Sequence, residues 1–119
     1  MNKKWIGVDF DGTLAYSTAP GKMGKAVPAM LQKVKDTIKD GTEVRIFTVR
    51  ASTAAGISDV RDWLKLNGLD GLQITNVKDA DMVELWDDRA RRVVKDKGEF
   101  CAGCAAQKFN SAAVQLTDC

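Results

Sequence analysis

The sequence predicts an α/β protein with three layers, α/β/α, in which helices cover both faces of a central parallel sheet of about five strands. Two observations favour this fold class. Short runs rich in β-branched and aromatic residues alternate with longer stretches in which apolar residues recur about every 3.6 positions, so strands alternate with helices. Several of the short runs also end in polar residues, and open parallel sheets place their ligands at the carboxyl ends of their strands.

The first predicted elements are a strand over residues 5–8 and a helix that begins at Pro28 and ends at Gly41. Proline is tolerated in the first turn of a helix, and glycine is favoured just after the last turn. Between these two elements, residues 15–27 form a polar loop. The remaining predicted elements are a strand over 44–47, a loop over 51–56, a helix over about 57–67, strands over 72–75 and 82–86 joined by a turn, a short fifth strand over 92–94 and a helix over 103–117.

Length and composition limit the class of protein. The 119 residues suit one domain, with a motif-bearing core over 1–95 and a tail over 96–119. A net charge of +2 gives no strong electrostatic case for binding nucleic acid or a membrane surface. No apolar run approaches the roughly 20 residues that span a bilayer, and nothing suggests an export signal, so a cytoplasmic protein is expected. The absence of histidine excludes histidine-based catalysis and histidine zinc ligands.

The most informative stretch is Asp9-Phe10-Asp11-Gly12-Thr13, which directly follows the first strand. Two acids so close together repel each other unless a cation lies near them. Carboxylate oxygens are the ligands that Mg²⁺ prefers, so the stretch predicts a magnesium site. Gly12 allows a sharp turn of the backbone, and the hydroxyl of Thr13 can stabilise that turn.

Polar residues also follow the other predicted strands. Thr48 follows the second strand, Lys78 comes shortly after the third, and Asp87 and Asp88 follow the fourth. Each of them alone would be an ordinary turn or surface residue. Because the carboxyl ends of parallel strands meet at one edge of the sheet, we expect these side chains to converge on Asp9 and Asp11 in a single cleft.

These residues together resemble the motifs of the haloacid dehalogenase (HAD) superfamily. Asp-Phe-Asp-Gly-Thr-Leu is similar to its first motif, Asp-x-Asp-x-Thr/Val after an apolar strand, and the hydroxyl, the lysine and the acidic pair follow in the family's order. The resemblance covers residues 5–94. It implies a HAD-like Rossmannoid fold and a small HAD-like phosphatase, of bacterial or phage type, with little or no cap. The second acid, Asp11, favours a phosphatase over a dehalogenase.

The resemblance also implies roles for the acidic residues. Asp9 would attack phosphorus and form an aspartyl-phosphate, and Asp11 would act as general acid and then as general base. Mg²⁺ would be held by the side chain of Asp9, the backbone carbonyl of Asp11 and a carboxylate of the acidic pair. Asp88 aligns best with the direct ligand, with Asp87 acting through water or in support, and the order of the two stays open.

A second group of residues is expected to bind the substrate. Thr48 and backbone N–H groups of the nucleophile loop would bond phosphoryl oxygens, and Lys78 would neutralise one of them and hold Asp9. Arg50 is placed to donate two hydrogen bonds to a second anionic group. The alternative for Arg50 and for the loop lysines Lys22 and Lys25 is that they are solvated surface charges. The full predicted set is Phe10, Thr48, Val49, Arg50, Lys78, Lys22 and Lys25.

No cap domain fits between the motifs, so residues 15–27 form a short flap at most. An open cleft admits a bulky substrate such as a nucleotide, the phosphorylated end of a polynucleotide or a phosphoprotein. It admits a small metabolite if a neighbouring subunit closes it. The oligomeric state stays open. The alternatives to a phosphatase are a regulatory or binding module without useful turnover and a phosphotransferase or phosphomutase.

The tail contains all three cysteines, Cys101, Cys104 and Cys119. The first two have the spacing of half a zinc site, but no fourth cysteine or histidine completes it. The sequence leaves three states open for these residues, namely a zinc site, a reversible disulfide and ordinary reduced thiols.

Overall fold

A computed structural model describes residues 4–103 as an α/β structure with a parallel sheet of four strands and two α-helices. The elements are β1 (Trp5–Val8), α1 (Pro28–Lys39), β2 (Glu43–Phe47), a 3-10 helix (Val49–Ser52), α2 (Ala54–Leu66), β3 (Gln73–Thr75) and β4 (Met82–Trp86). The predicted α/β class and parallel sheet are thus confirmed, but the sheet has four strands rather than about five. The chain divides after Asp88 into two compact units.

The strand order is β3-β2-β1-β4, so β1 lies inside the sheet between β2 and β4. Val8, the last residue of β1, is in register with Ile46 of β2 and with Trp86 of β4. The residues that follow these three strands therefore emerge side by side at the same edge of the sheet. This register places the polar strand ends of the sequence next to one another.

The main core lies between one face of the sheet and both helices. Ile6 and Val8 alternate along β1 and so point to the same face. They belong to one cluster of buried residues with the inward positions of β2 and of the helices. The other members from those elements are Val44, Ile46, Val34, Val60, Trp63 and Leu64.

On the opposite face of the sheet, where the sequence predicted a helical layer, residues 76–81 form a non-helical connection with a turn at 80–81. The Trp5 indole on this face donates to Asp79 Oδ1 at 2.9 Å, and the Arg45 guanidinium lies 4.5 Å from the centre of the Trp5 ring. The connection joins β3 to β4, which lie at opposite edges of the sheet. Six residues are too few to cross the sheet and also form a helix.

The predicted fifth strand over 92–94 is wrong in that form. In the second unit, Val93 instead makes an isolated antiparallel bridge with Phe100. The chain reverses between them because Asp96 and Gly98 adopt the left-handed conformation, with φ of 63° and 67°. The backbone N–H of Val94 then donates to the carbonyl of Glu99 at 2.8 Å.

The second helix begins three residues earlier than predicted. The hydroxyl of Thr53 accepts a hydrogen bond from the N–H of Gly56 at 3.0 Å, which caps the first turn of α2. In the same way, the hydroxyl of Thr48 accepts from the N–H of Arg50 and caps the 3-10 helix. The predicted loop over 51–56 is therefore largely helical.

Of the three cysteines, Cys101 lies within the described residues, where it is buried and disulfide-bonded. Cys104, Cys119 and nearly all of the predicted helix over 103–117 lie outside them. No helix within residues 4–103 is long and apolar enough to cross a membrane.

The polar loop predicted over residues 15–27 folds, together with Leu14, as a hairpin, and we call residues 14–27 the flap. The N–H of Tyr16 donates to the carbonyl of Lys25, and the N–H of Val27 donates to that of Leu14, each at 2.8 Å. The flap is joined to α2 by a buried hydrogen bond of 2.7 Å from the Trp63 indole to the carbonyl of Gly24. Trp63 therefore connects the flap to the core.

We predict that Trp63→Phe lowers the free energy of unfolding by about 1–3 kcal/mol, because the buried carbonyl of Gly24 loses its donor while most of the ring volume is kept. Trp86→Phe is the matched control, because the Trp86 indole donates to Glu84 at an exposed position. Urea unfolding of the two variants measures the difference. Equal losses would show that the buried bond does not stabilise the flap.

Candidate functional site

Three carboxylates meet at the carboxyl ends of β1 and β4. Asp9 directly follows β1, and Asp87 and Asp88 directly follow β4. One carboxylate oxygen from each of the three lies within 4.8 Å of the others. The N–H of Asp9 donates to the carbonyl of Trp86 at 2.9 Å, which holds the two strand ends together. The predicted convergence of these acids is therefore present, and we call them the acidic cluster.

The hydroxyl of Thr13 connects two members of the acidic cluster. Its oxygen accepts from the N–H of Asp88 at 3.1 Å, and it lies 3.1 Å from Asp88 Oδ1 and 3.4 Å from Asp9 Oδ2. The single hydroxyl proton can be donated to one of these carboxylates at a time. The sequence suggested only that Thr13 stabilises its own turn. Its contact with Asp88 follows from tertiary structure and has no local signal.

Residues 10–13, between Asp9 and the flap, form a tight turn. The carbonyl of Phe10 accepts hydrogen bonds from the N–H groups of Thr13, Leu14 and Ala15. Gly12 has a φ of +84°, and a Cβ at this position would lie 2.7 Å from Asp88 Oδ2. Glycine is thus needed here for its backbone conformation and for the close approach of Asp88.

The pKa of Asp9 is raised from 3.8 to about 7. The largest cause is burial, which disfavours the charged form, and the negative charge of Asp87 and the hydrogen bond with Asp88 add to it. The loop N–H of Phe10 acts in the opposite direction. Burial and the neighbouring carboxylates therefore both favour the protonated form of Asp9.

The donor set of the acidic cluster fits a hard divalent cation. It offers oxygen ligands from three carboxylates at the open edge of a sheet, and a cation would favour the ionised form of Asp9. Asp9, Asp87 and Asp88 are the residues whose side chains would hold such an ion. The geometry does not rank Asp87 against Asp88.

Asp11 forms a bidentate ion pair with Arg50. Arg50 Nε donates to Asp11 Oδ2 at 2.7 Å, and Arg50 Nη2 donates to Asp11 Oδ1 at 2.8 Å. Nη2 also donates to the backbone carbonyl of Lys22 in the flap at 2.7 Å. These bonds to Asp11 raise the pKa of Arg50. The sequence placed Arg50 on the substrate side, whereas the structure places part of its guanidinium on Asp11.

The remaining predicted site residues differ in their accessibility. Thr48 is buried directly after β2, and its N–H donates to the carbonyl of Thr75. The side chain of Phe10 is fully buried against Trp63, so Phe10 can contact a substrate through its backbone alone. Val49 is 79% exposed.

The lysines of the predicted site are all exposed. Lys22 and Lys25 lie on the flap, and Lys78 follows β3. Within residues 4–103, Lys78 makes no ion pair with Asp9. The structure therefore shows the acidic cluster and the Asp11–Arg50 pair, whereas Lys78 is exposed and no hydrogen bond or ion pair among the described residues joins it to either of them.

A cavity of about 300 Å³ adjoins the acidic cluster on the side of α1. Gly12, Thr13, Asp87 and Asp88 line it together with apolar residues of α1 and β4, which include Met30 and Trp86. Asp11 is not among the lining residues, so this cavity is separate from the side of the site where Arg50 lies. In the described part of the chain, residues 14–78 contain the flap, two helices and two strands and no inserted cap domain.

Comparison with known proteins shows a similar fold. No protein-family model and no curated protein matches the chain. A solved structure described as a conserved protein from Bacteroides thetaiotaomicron is 21% identical, with a TM-score of 0.62 over 75% of this chain and 78% of that one. At this identity the likeness concerns the fold alone, and it supports the α/β architecture.

We predict that Gly12→Ala destabilises the fold more than Gly21→Ala does. Both glycines have φ near +80°, so alanine is strained at either position by about 1–2 kcal/mol. At Gly12 the new methyl group also meets Asp88, whereas nothing lies within 4 Å of a Cβ at Gly21. Urea unfolding measures both losses. Equal losses in the free energy of unfolding would show that Asp88 moves away from the new methyl group without destabilising the fold.

We also predict that the stability of the metal-free protein falls as the pH rises from about 4 to about 7. In this range Asp9 is ionised in the unfolded chain but protonated in the folded one, so the unfolded state binds fewer protons and is favoured by rising pH. Above about pH 7 the dependence on Asp9 ends. Asp9→Asn should flatten this decline, and Asp70→Asn, at an exposed turn position, should retain it.

The measurement is urea unfolding in chelator across this pH range. A decline of the same size in Asp9→Asn and in Asp70→Asn would contradict the raised pKa of Asp9.

Proposed function

We propose that this protein is a Mg²⁺-dependent phosphomonoester hydrolase with a HAD-like Rossmannoid fold, acting through an aspartyl-phosphate intermediate. The observation that carries the proposal is the convergence of Asp9, Asp87 and Asp88, whose carboxylates each place one oxygen within 4.8 Å of the others. A further acid, Asp11, follows Asp9 by two residues. The order of motifs along the sequence supports the same assignment. The α/β fold with a parallel sheet is compatible with it.

The metal is assigned to the acidic cluster. Asp9, Asp88 and, directly or in support, Asp87 would hold Mg²⁺, together with the backbone carbonyl of Asp11. When bound, the ion supplies positive charge where an anionic nucleophile approaches an anionic phosphoryl group. The raised pKa of Asp9 is consistent with this role, because a carboxylate nucleophile at neutral pH needs nearby positive charge to stay ionised.

The chain's own residues account for the two chemical steps. A carboxylate oxygen of Asp9 attacks phosphorus, and the bond from phosphorus to the ester oxygen breaks. Asp11, which takes up a proton from solvent before this step despite its ion pair with Arg50, gives that proton to the leaving alkoxide. Asp11 then takes a proton from water, whose oxygen attacks phosphorus and releases inorganic phosphate and the Asp9 carboxylate. Each oxygen of Asp11 keeps a lone pair free of Arg50 for this proton transfer.

The phosphoryl oxygens are assigned to Thr48, to N–H groups of the loop around Phe10 and to Lys78. The hydroxyl of Thr48 accepts from the N–H of Arg50, so its own proton is available to a phosphoryl oxygen. Lys78 is exposed and has a long side chain, so it is free to turn toward an anion in the site. The open cleft suits a nucleotide or a phosphorylated polynucleotide end.

We predict that the purified protein hydrolyses p-nitrophenyl phosphate in the presence of Mg²⁺ and that Asp9→Asn lowers kcat by at least about a thousandfold, since the nucleophile is lost. Asp70→Asn is the matched control and should retain activity. Acid quench with a ³²P-labelled substrate should trap phosphate on the wild-type protein and not on Asp9→Asn. Equal hydrolysis by Asp9→Asn would contradict the assignment of the nucleophile.

A binding or regulatory module is the second candidate. The observation that favours it is the bidentate Arg50 pair, which engages both oxygens of the acid that turnover needs. Under this alternative, Mg²⁺ raises the melting temperature of the wild-type protein but not of Asp88→Asn, while no phosphomonoester is turned over.

A further inference from the structure

The candidate site carries opposite charges on its two sides. The acidic cluster lies at the ends of β1 and β4, whereas Arg50 bonds Asp11 and contacts the flap at the backbone carbonyl of Lys22. Asp11 and, at longer range, Asp59 are the negative charges that act on Arg50. The exposed flap lysines Lys22 and Lys25 form no ion pair within residues 4–103, so their positive charge is not compensated by a described partner.

The guanidinium of Arg50 is only partly used by the protein. Nε and Nη2 bond Asp11, and Nη2 also bonds the carbonyl of Lys22. Within residues 4–103, the two donors of Nη1 have no hydrogen-bond partner, and the Arg50 side chain is 17% exposed. The guanidinium is held at Nε and Nη2, whereas Nη1 can still donate hydrogen bonds. Such a side chain is pre-organised to bind an anion, because binding costs little further conformational entropy.

The position of this open edge defines what it can bind. Asp11 is assigned to the leaving group, so a guanidinium bonded to both oxygens of Asp11 lies on the leaving-group side of the site. The backbone of Lys22 touches the same guanidinium, and the Lys22 side chain is exposed and makes no ion pair in the described part of the chain. Arg50 is thus tied to the leaving-group side through Asp11, and Lys22 is the cation whose backbone contacts the same guanidinium.

We infer that Arg50 Nη1 and Lys22 bind a second anionic group of the substrate, so that the preferred substrate is a phosphomonoester with another phosphate or a phosphodiester a few bonds from the scissile group. This inference rests on the proposed hydrolase function. It makes Arg50 a specificity residue as well as a positioning residue for Asp11, and it gives the flap a role in substrate selection.

The test compares two probes that differ by one phosphate, thymidine 3′-monophosphate and thymidine 3′,5′-bisphosphate. Binding is measured by calorimetry in the Asp9→Asn background, which prevents turnover, and kcat and KM are measured in the wild-type background. We expect the bisphosphate to bind about tenfold more tightly and to show a lower KM, which is the effect of one good charge-assisted contact.

Variants of the two cations identify the cause of that preference. Arg50→Gln and Lys22→Gln should each reduce the ratio of the two affinities toward one, and Arg50→Lys should give an intermediate ratio because lysine lacks the fork. Lys39→Gln, at an exposed position of α1, is the charge-matched control and should keep the wild-type ratio. Lys22→Gln removes no contact made by the side chain, so it remains informative if Arg50→Gln does not fold.

The outcomes separate the two proposals. A ratio near one in the wild-type protein, or a ratio that neither Arg50→Gln nor Lys22→Gln changes, would overturn this inference while leaving the hydrolase proposal intact. Absence of Asp9-dependent release of phosphate from both probes and from p-nitrophenyl phosphate would overturn the hydrolase proposal. In that case a tenfold binding preference that depends on Arg50 and Lys22 would still establish the second anion site.

Discussion

The repulsion among three carboxylates at one edge of the sheet is the constraint on which the rest of the site depends. Parallel pairing of β1 with β4 places Val8 beside Trp86, so Asp9 lies close to Asp87 and Asp88, which follow β4. The pKa of Asp9 is raised, which favours its uncharged form, and the hydroxyl of Thr13 contacts both Asp9 and Asp88. A divalent cation bound by these carboxylates would favour their ionised forms.

The coarse fold and the acids of the site could be predicted because they depend on local patterns. Apolar runs with turns at their ends define β1, β2 and β4, and parallel order then fixes which ends meet. Asp9, Asp87 and Asp88 are adjacent for that reason alone. The end of β1 is followed by acids whatever the details of packing, so this part of the site needs no knowledge of side-chain contacts.

What could not be predicted depends on tertiary contacts or on single backbone conformations. Thr13 meets Asp88 across 75 residues of sequence, and Arg50 meets Asp11 across 39. Neither partner is marked by spacing. The fifth strand fails because left-handed Asp96 and Gly98 reverse the chain, and the second helical face fails because β3 and β4 lie at opposite edges with six residues between them.

That six-residue crossing also affects the order in which the molecule assembles. Asp87 and Asp88 reach Asp9 only after residues 76–81 have passed over the sheet and β4 has paired with β1, a contact between distant parts of the sequence. Strand pairing at such separation carries a large loop-closure entropy, and we expect it to follow formation of the β1-α1-β2-α2 unit. On that expectation the acidic cluster forms after the β1-α1-β2-α2 unit, so a cation that binds it would slow unfolding more than it speeds folding.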